Sequence, residues 1–311
     1  MLAKLIISLD CEGKWGVADR PVERRDFIKT QDLTDCYSRI LDVFDKFDAK
    51  GTFAFVSALC LTPEEAEDAL SEADLRYNSK NWLDTPLAEI RAGSSDGWSA
   101  PRLVDLVRQR EGHHVCTHGG THLPYSDVLT PKDSVLWDIG FAKSIHSRLN
   151  LGWDTIIFPR NVEGHLDGVA SAGIRGYRSM DSVERIAGRL GKAARLANEF
   201  VNGDRRGLWG GRSYTESPLC ALSPGKFINA EIGIRKCVKP HHTIDRVKKL
   251  LDFACANSRV VHMYTHPHNF ISDPRMFLKL DAILEIASRL VSEGRLRVIT
   301  MKDELNGITR V

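Results

Sequence analysis

Short apolar runs alternate with amphipathic helical stretches along almost the whole of this 311-residue chain. That alternation restricts the fold more than any other feature, because repeated strand-helix units pack as a parallel sheet covered by helices. Leu2-Ala3-Lys4-Leu5-Ile6-Ile7 reads as a buried strand. Leu33, Tyr37, Ile40, Leu41 and Phe44 recur at helical spacing and predict a helix over 32–47. Gly51-Thr52-Phe53-Ala54-Phe55-Val56 is a second strand, and Thr62-Pro63-Glu64-Glu65 starts a short helix with a capping threonine and a first-turn proline. Further helices are expected at 101–110, 131–149, 162–172, 242–256 and 274–293. Strands are expected at 113–116, 155–160, 173–177, 259–266 and 296–300. The stretch 183–201 reads as helical, and the region from there to Pro240 as a turn followed by short strands or a loop. The polar motifs all fall just after strands, which places them on one rim. The expected architecture is α/β, a distorted (β/α) barrel of about seven parallel strands. One domain spans 1–311, with loop insertions near 76–99 and 202–240. An open doubly wound sheet competes, but no Gly-x-Gly-x-x-Gly follows the first strand, so a dinucleotide site is not expected.

The first strand ends in Ser8-Leu9-Asp10-Cys11-Glu12-Gly13. Side chains alternate across a strand, so Asp10 and Glu12 share a face and Cys11 points away. Two acids at one spot call for a cation or a shared proton. His118-Gly119-Gly120-Thr121-His122 follows the third strand and supplies two imidazoles. One carboxylate and two neutral imidazoles make a three-ligand site with an open position for water, leaving the second carboxylate as a base.

Composition narrows the class. Formal charge is 43 − 41 = +2, which gives no basis for expecting a nucleic-acid partner. No apolar run is long enough to span a membrane. Met1-Leu2-Ala3-Lys4 lacks the basic and long apolar regions of a secretory signal, and the seven cysteines stand singly with no Cys-x-x-Cys. A cytoplasmic protein with reduced thiols is the expectation.

These motifs together resemble the polysaccharide deacetylases with a NodB-homology domain, carbohydrate esterase family four. The strongest match is His118-x-x-x-His122, followed by Tyr125-Ser126. The resemblance implies that His118 and His122 bind a divalent metal together with an acid of the first motif. The usual first motif has adjacent acids; this chain resembles members with acids two apart. Glu12 is then the metal ligand and Asp10 the catalytic base, with the reverse assignment open. The resemblance also implies an arginine that orients the base, for which Phe158-Pro159-Arg160-Asn161 offers Arg160. It implies a late strand-end histidine as general acid. Met263-Tyr264-Thr265-His266-Pro267-His268 offers His266 first and His268 second. The tryptophan-containing fourth motif of the family is not evident.

The implied reaction is hydrolysis of an N-acyl, chiefly acetyl, group on an amino sugar or saccharide in surface-polysaccharide biosynthesis. Its substrate would be nucleotide- or lipid-linked. Zinc is the first expected metal, with cobalt, nickel or iron fitting the same donors. Trp15, Asn161 and His268 are the expected substrate-binding residues; Trp82, Trp98 and Trp209 are further stacking candidates, and Trp137 and Trp153 read as core. Arg205, Arg206 and Arg212 could meet a phosphate, although a solvated loop is the plainer account. Two other functions fit the same motifs: a non-catalytic sugar-binding protein of this fold, and an amidohydrolase for a small non-sugar amide.

Overall fold

The first strand seeds a closed barrel. The computed structural model describes residues 2–180, 196–197, 199–200, 213–214 and 219–308. Among these, seven parallel strands form the barrel: β1 (Ala3–Cys11), β2 (Thr52–Phe55), β3 (His114–Thr117), β4 (Thr155–Ile156), β5 (Gly176–Met180), β6 (Cys220–Phe227) and β7 (Val260–Thr265). They pair in chain order. β6 pairs with β7, and β7 returns to β1 in a register running from Lys4 opposite Val260 to Leu9 opposite Thr265. That last pairing rules out the open sheet, and the expected α/β barrel is the fold observed.

Alternation along β1 separates two environments. Leu5, Ile7, Leu9 and Cys11 face outward into the core under the helices. The helix Thr30–Lys46 lays Leu33, Cys36, Tyr37, Ile40, Leu41 and Phe44 against that layer, the stripe that its 3.6-residue period dictates. Ile6 faces inward and meets Ala54, Cys116, Ile157, Cys220 and Leu222 in the barrel floor. Ile299, Met301 and Leu305 pack into the same floor. They come from the C-terminal segment, where β8 (Leu296–Val298) pairs with the start of β1 and the helix Met301–Asn306 follows. An apolar floor closed in this way leaves the opposite rim for chemistry.

Two regions depart from expectation. The 76–99 stretch is no loose loop. It holds a small hairpin (Arg76–Tyr77 with Lys80–Asn81) and the helix Asp84–Arg91, and it buries Trp98 completely. Within 202–240, β6 is a full barrel strand. Its Ser223-Pro224-Gly225 hides it from period-based reading, because proline gives the ladder no donor. The proline sits at a bulge, where Arg178 pairs with Leu222 and Met180 with Gly225. The expected helix over 183–201 lies mostly outside the described residues, as do Trp209, Arg205, Arg206 and Arg212. Among the described residues no helix is long and apolar enough to cross a membrane.

Candidate metal and catalytic site

Asp10 and Glu12 both point into the barrel mouth and are almost wholly buried. They meet different partners. Arg178, from β5, donates to both Asp10 oxygens at 2.7 and 2.8 Å. It also donates to Ser8 Oγ at 3.1 Å and Asn161 Oδ1 at 2.7 Å, and its guanidinium lies 3.7 Å over the Tyr264 ring. Burial pushes the Asp10 carboxyl up, but the Arg178 guanidinium outweighs it and holds the group below its ordinary value. The β6 bulge makes room for this arginine: a Cβ at Gly225 would come within 2.8 Å of Arg178 Cδ and of Tyr264 Cδ1.

Arg160, the arginine expected on Asp10, is elsewhere. It pairs with Asp19 at 2.5 Å and lies over Trp82. Its backbone is left-handed (φ +56°), as is that of Asn161 (φ +54°). This turn carries the Arg160 side chain to the rim while Asn161 reaches inward. Asn161 accepts from Arg178 and donates to the Tyr264 hydroxyl at 3.0 Å. Below them Ser8 and His262 share a 2.8 Å hydrogen bond, and burial pushes the His262 imidazole down to about 3.

Glu12 sits among four histidines. Its Oε2 lies 2.9 Å from Nε2 of His122 and 3.4 Å from Nε2 of His118. Its Oε1 lies 3.6 Å from Nδ1 of His266 and 3.8 Å from Nδ1 of His268. Burial opposes its ionisation, yet the imidazoles, His266 and His122 foremost, hold it well below the usual range. Gly16 permits this placement, since a Cβ there would overlap the Glu12 carboxyl group.

The histidine loop is held from behind by Asp138, which sequence reasoning missed. Its carboxylate accepts from Gly120 N (2.7 Å), Thr121 N (2.8 Å), Thr121 Oγ (2.7 Å) and Tyr125 Oη (2.8 Å). The available signal was an acid on the apolar face of the helix Lys132–Arg148, beside Val135, Ile139 and Ala142.

Glu12, His118 and His122 fit a divalent cation. Nδ1 of His118 donates to the Ile157 carbonyl at 2.7 Å, which leaves Nε2 as a lone-pair donor. The Nε2 atoms of both histidines are buried without a hydrogen-bond partner, although Glu12 is beside them. Burial lowers His122, which favours the neutral form that a metal ligand needs. Two imidazoles and a carboxylate are donors suited to zinc, and cobalt, nickel or iron accept them too.

His266 lies 3.7 Å from Asp10 Oδ2, and its side chain is 27% exposed, against 2% for His118 and His122 and 9% for His268. It is the member of the four that reaches toward the mouth. Burial holds His268 at about 4. Trp15, expected at the rim, is instead fully buried. The 3-10 turn Gly13–Val17 swings it under the mouth, where Nε1 donates to the Trp98 carbonyl at 2.8 Å and the rings meet edge to face. Trp15 therefore offers no face to a ligand. Trp82 is also buried, while Trp137 is partly exposed and stacks on Phe141. Phe227 was not singled out in the sequence; its ring centroid lies 4.9 Å from those of His266 and Tyr264.

No family model and no curated protein matches this sequence. Among solved structures, a Mycobacterium smegmatis protein described as a polysaccharide deacetylase superposes with a TM-score of 0.55. Its identity is 11%, covering 100% of this chain and 94% of that one. A 4-alpha-glucanotransferase from Thermococcus litoralis gives 0.49 at 12% identity, over 99% of this chain and 41% of that one. A family 4 acetyl xylan esterase from Clostridium thermocellum, solved with cobalt, gives 0.43 at 14%, over 98% and 93%. At 11% identity the Mycobacterium likeness is one of fold, and that fold is the one the motif resemblance implied.

Proposed function

We propose that this chain is a metal-dependent hydrolase that removes an N-acyl group, acetyl first, from an amino sugar or saccharide. The observation that carries the reading is the buried Glu12 carboxylate set 2.9 and 3.4 Å from Nε2 of two buried imidazoles, with the arginine-held Asp10 on the same strand face. His118, His122 and Glu12 hold the cation. When bound, the cation polarises the acyl carbonyl and lowers the pKa of water. Asp10 takes the proton of the attacking water, because Arg178 keeps it ionised and fixes the direction of its free lone pairs. His266, the most exposed of the four histidines, hands a proton to the leaving amine. Asn161 and Ser8 keep Arg178 in place. Phe227 offers an apolar ring beside His266. The amino-sugar substrate, and a nucleotide- or lipid-linked form of it in surface-polysaccharide synthesis, follow from the motif resemblance. The shared fold of the Mycobacterium protein described as a polysaccharide deacetylase supports the same class.

The test is acetate release from a panel of N-acetylated sugars, with cyclic ureides as the non-sugar arm, each assayed with zinc, cobalt, nickel and iron. Asp10→Asn should cut turnover by about 10²–10⁴ while retaining its metal. Full activity in that variant removes Asp10 as the base. Ligand affinity without turnover under any metal makes the chain a sugar-binding protein.

A further inference from the structure

Glu12 presents both of its oxygens to histidine pairs. The first trio, Glu12 with His118 and His122, uses Oε2. On the other side, Oε1 faces Nδ1 of His266 and Nδ1 of His268, and each trio keeps its ligand atoms within 4.8 Å of one another. Two donors on one tetrahedral zinc stand roughly 3.3–3.6 Å apart, given bonds of about 2.0–2.2 Å. The 3.6 and 3.8 Å separations on the Oε1 side are close to that spacing. They are too long for hydrogen bonds. Nδ1 of His268 is buried without a hydrogen-bond partner. His266 turns Nε2 toward Asp10 Oδ2 at 3.7 Å and Nδ1 toward Glu12 Oε1, so Nδ1 is the ring nitrogen that faces this side of Glu12.

We propose a second divalent-cation site formed by Glu12 Oε1, His266 Nδ1 and His268 Nδ1, with Glu12 bridging it to the first. The proposal rests on the reading of Glu12, His118 and His122 as a metal trio. Local charge orders the two sites. Asp10 is paired with Arg178, so among the described residues Glu12 is the anion between the trios without a guanidinium partner, and two divalent cations leave positive charge in excess. The second site therefore fills after the first and more weakly. Its occupancy ties up His266, the residue that reaches the mouth, so excess cation suppresses the proton transfer to the leaving group.

Zinc alone is the probe. The full chain is stripped of metal, dialysed against buffered free zinc, and its bound zinc counted by mass spectrometry. The wild type should take up two zinc ions per chain in two separated steps. His268→Gln and His266→Gln should each keep the tight step and lose the weak one. His122→Gln should lose the tight step. Unchanged circular dichroism and melting of the metal-free forms show that each variant folds. One zinc in the wild type, lost on His122→Gln, overturns the second site and leaves the hydrolase reading intact. A second zinc that survives both His266→Gln and His268→Gln also overturns it. No tight zinc at all overturns the first trio and the bridge with it.

Discussion

Replacing Arg178 by methionine keeps the bulk of the side chain and strips Asp10 of its counter-charge. Arg178 is 2% exposed and, among the described residues, donates to Ser8, Asn161 and both oxygens of Asp10, the last as a bidentate pair. Breaking a buried ion pair by removing one partner costs about 3–5 kcal/mol. The pH dependence identifies the origin. Asp10 is held below its ordinary value, so the pair adds stability above the unfolded carboxyl pKa of about 3.9, and that stability is lost as pH falls through the folded value. Arg178→Met should therefore show its deficit at neutral pH and converge on the wild type in acid. Asp10→Asn in the Arg178→Met background should recover part of the loss, because the stranded charge is gone. Arg160→Met breaks a surface pair with Asp19 and should cost about 0–1 kcal/mol. Urea unfolding of the four proteins at pH 7 and at pH 3, below the unfolded carboxyl value, measures all of this. A loss below 1 kcal/mol for Arg178→Met, a deficit that does not shrink in acid, or a larger loss for Arg160→Met refutes the reasoning.

Asp138→Asn keeps shape but puts an amide NH2 where one carboxylate oxygen accepts from a backbone N–H, orphaning Gly120 N or Thr121 N. A loss of about 2–4 kcal/mol in urea unfolding and a 10–100-fold fall in zinc affinity are expected; unchanged zinc affinity would mean that Asp138 does not position His118 and His122. Trp15→Ala should cost about 3–5 kcal/mol, with the KM of the folded enzyme unaltered; normal stability with weakened sugar binding would return Trp15 to the rim. His146, pushed down by burial to about 4, and His262, pushed to about 3, are neutral when folded, whereas the unfolded chain protonates them near 6.5. The unfolded state therefore binds more protons below that pH. Stability should fall by on the order of 2 kcal/mol per histidine between pH 7 and pH 5. His146→Gln should flatten that slope by one histidine's share, and an unchanged slope in the variant contradicts it.

What could be read from sequence follows from which physics is local. Strand alternation alone puts Asp10 and Glu12 inside and Cys11 outside, and the structure agrees. Four-residue spacing after β3 marks His118 and His122, and both rings meet at Glu12. Arg178 was invisible because its role depends on register. A charged residue inside a five-residue strand looks like a break in an apolar run, and only the β6 bulge, with Gly225 against the Arg178 side chain, shows that a guanidinium fits inside the barrel. Arg160 attracted attention by its place beside Pro159 at a strand end, but the left-handed turn there sends it outward. Trp15 was misread for a similar reason, since a 3-10 turn rather than continued strand follows Glu12. Asp138 acts across a distance of 13 to 18 residues on a loop whose shape cannot be inferred from composition.

The central claim is that Glu12, His118 and His122 grip one cation at the barrel mouth. Diffraction data collected on either side of the zinc absorption edge, from crystals grown with one equivalent of zinc, test it directly. The account predicts an anomalous peak within about 2.3 Å of Glu12 Oε2 and of Nε2 of both histidines. Fully ordered side chains with no peak there, or a peak bound by other residues alone, contradict it.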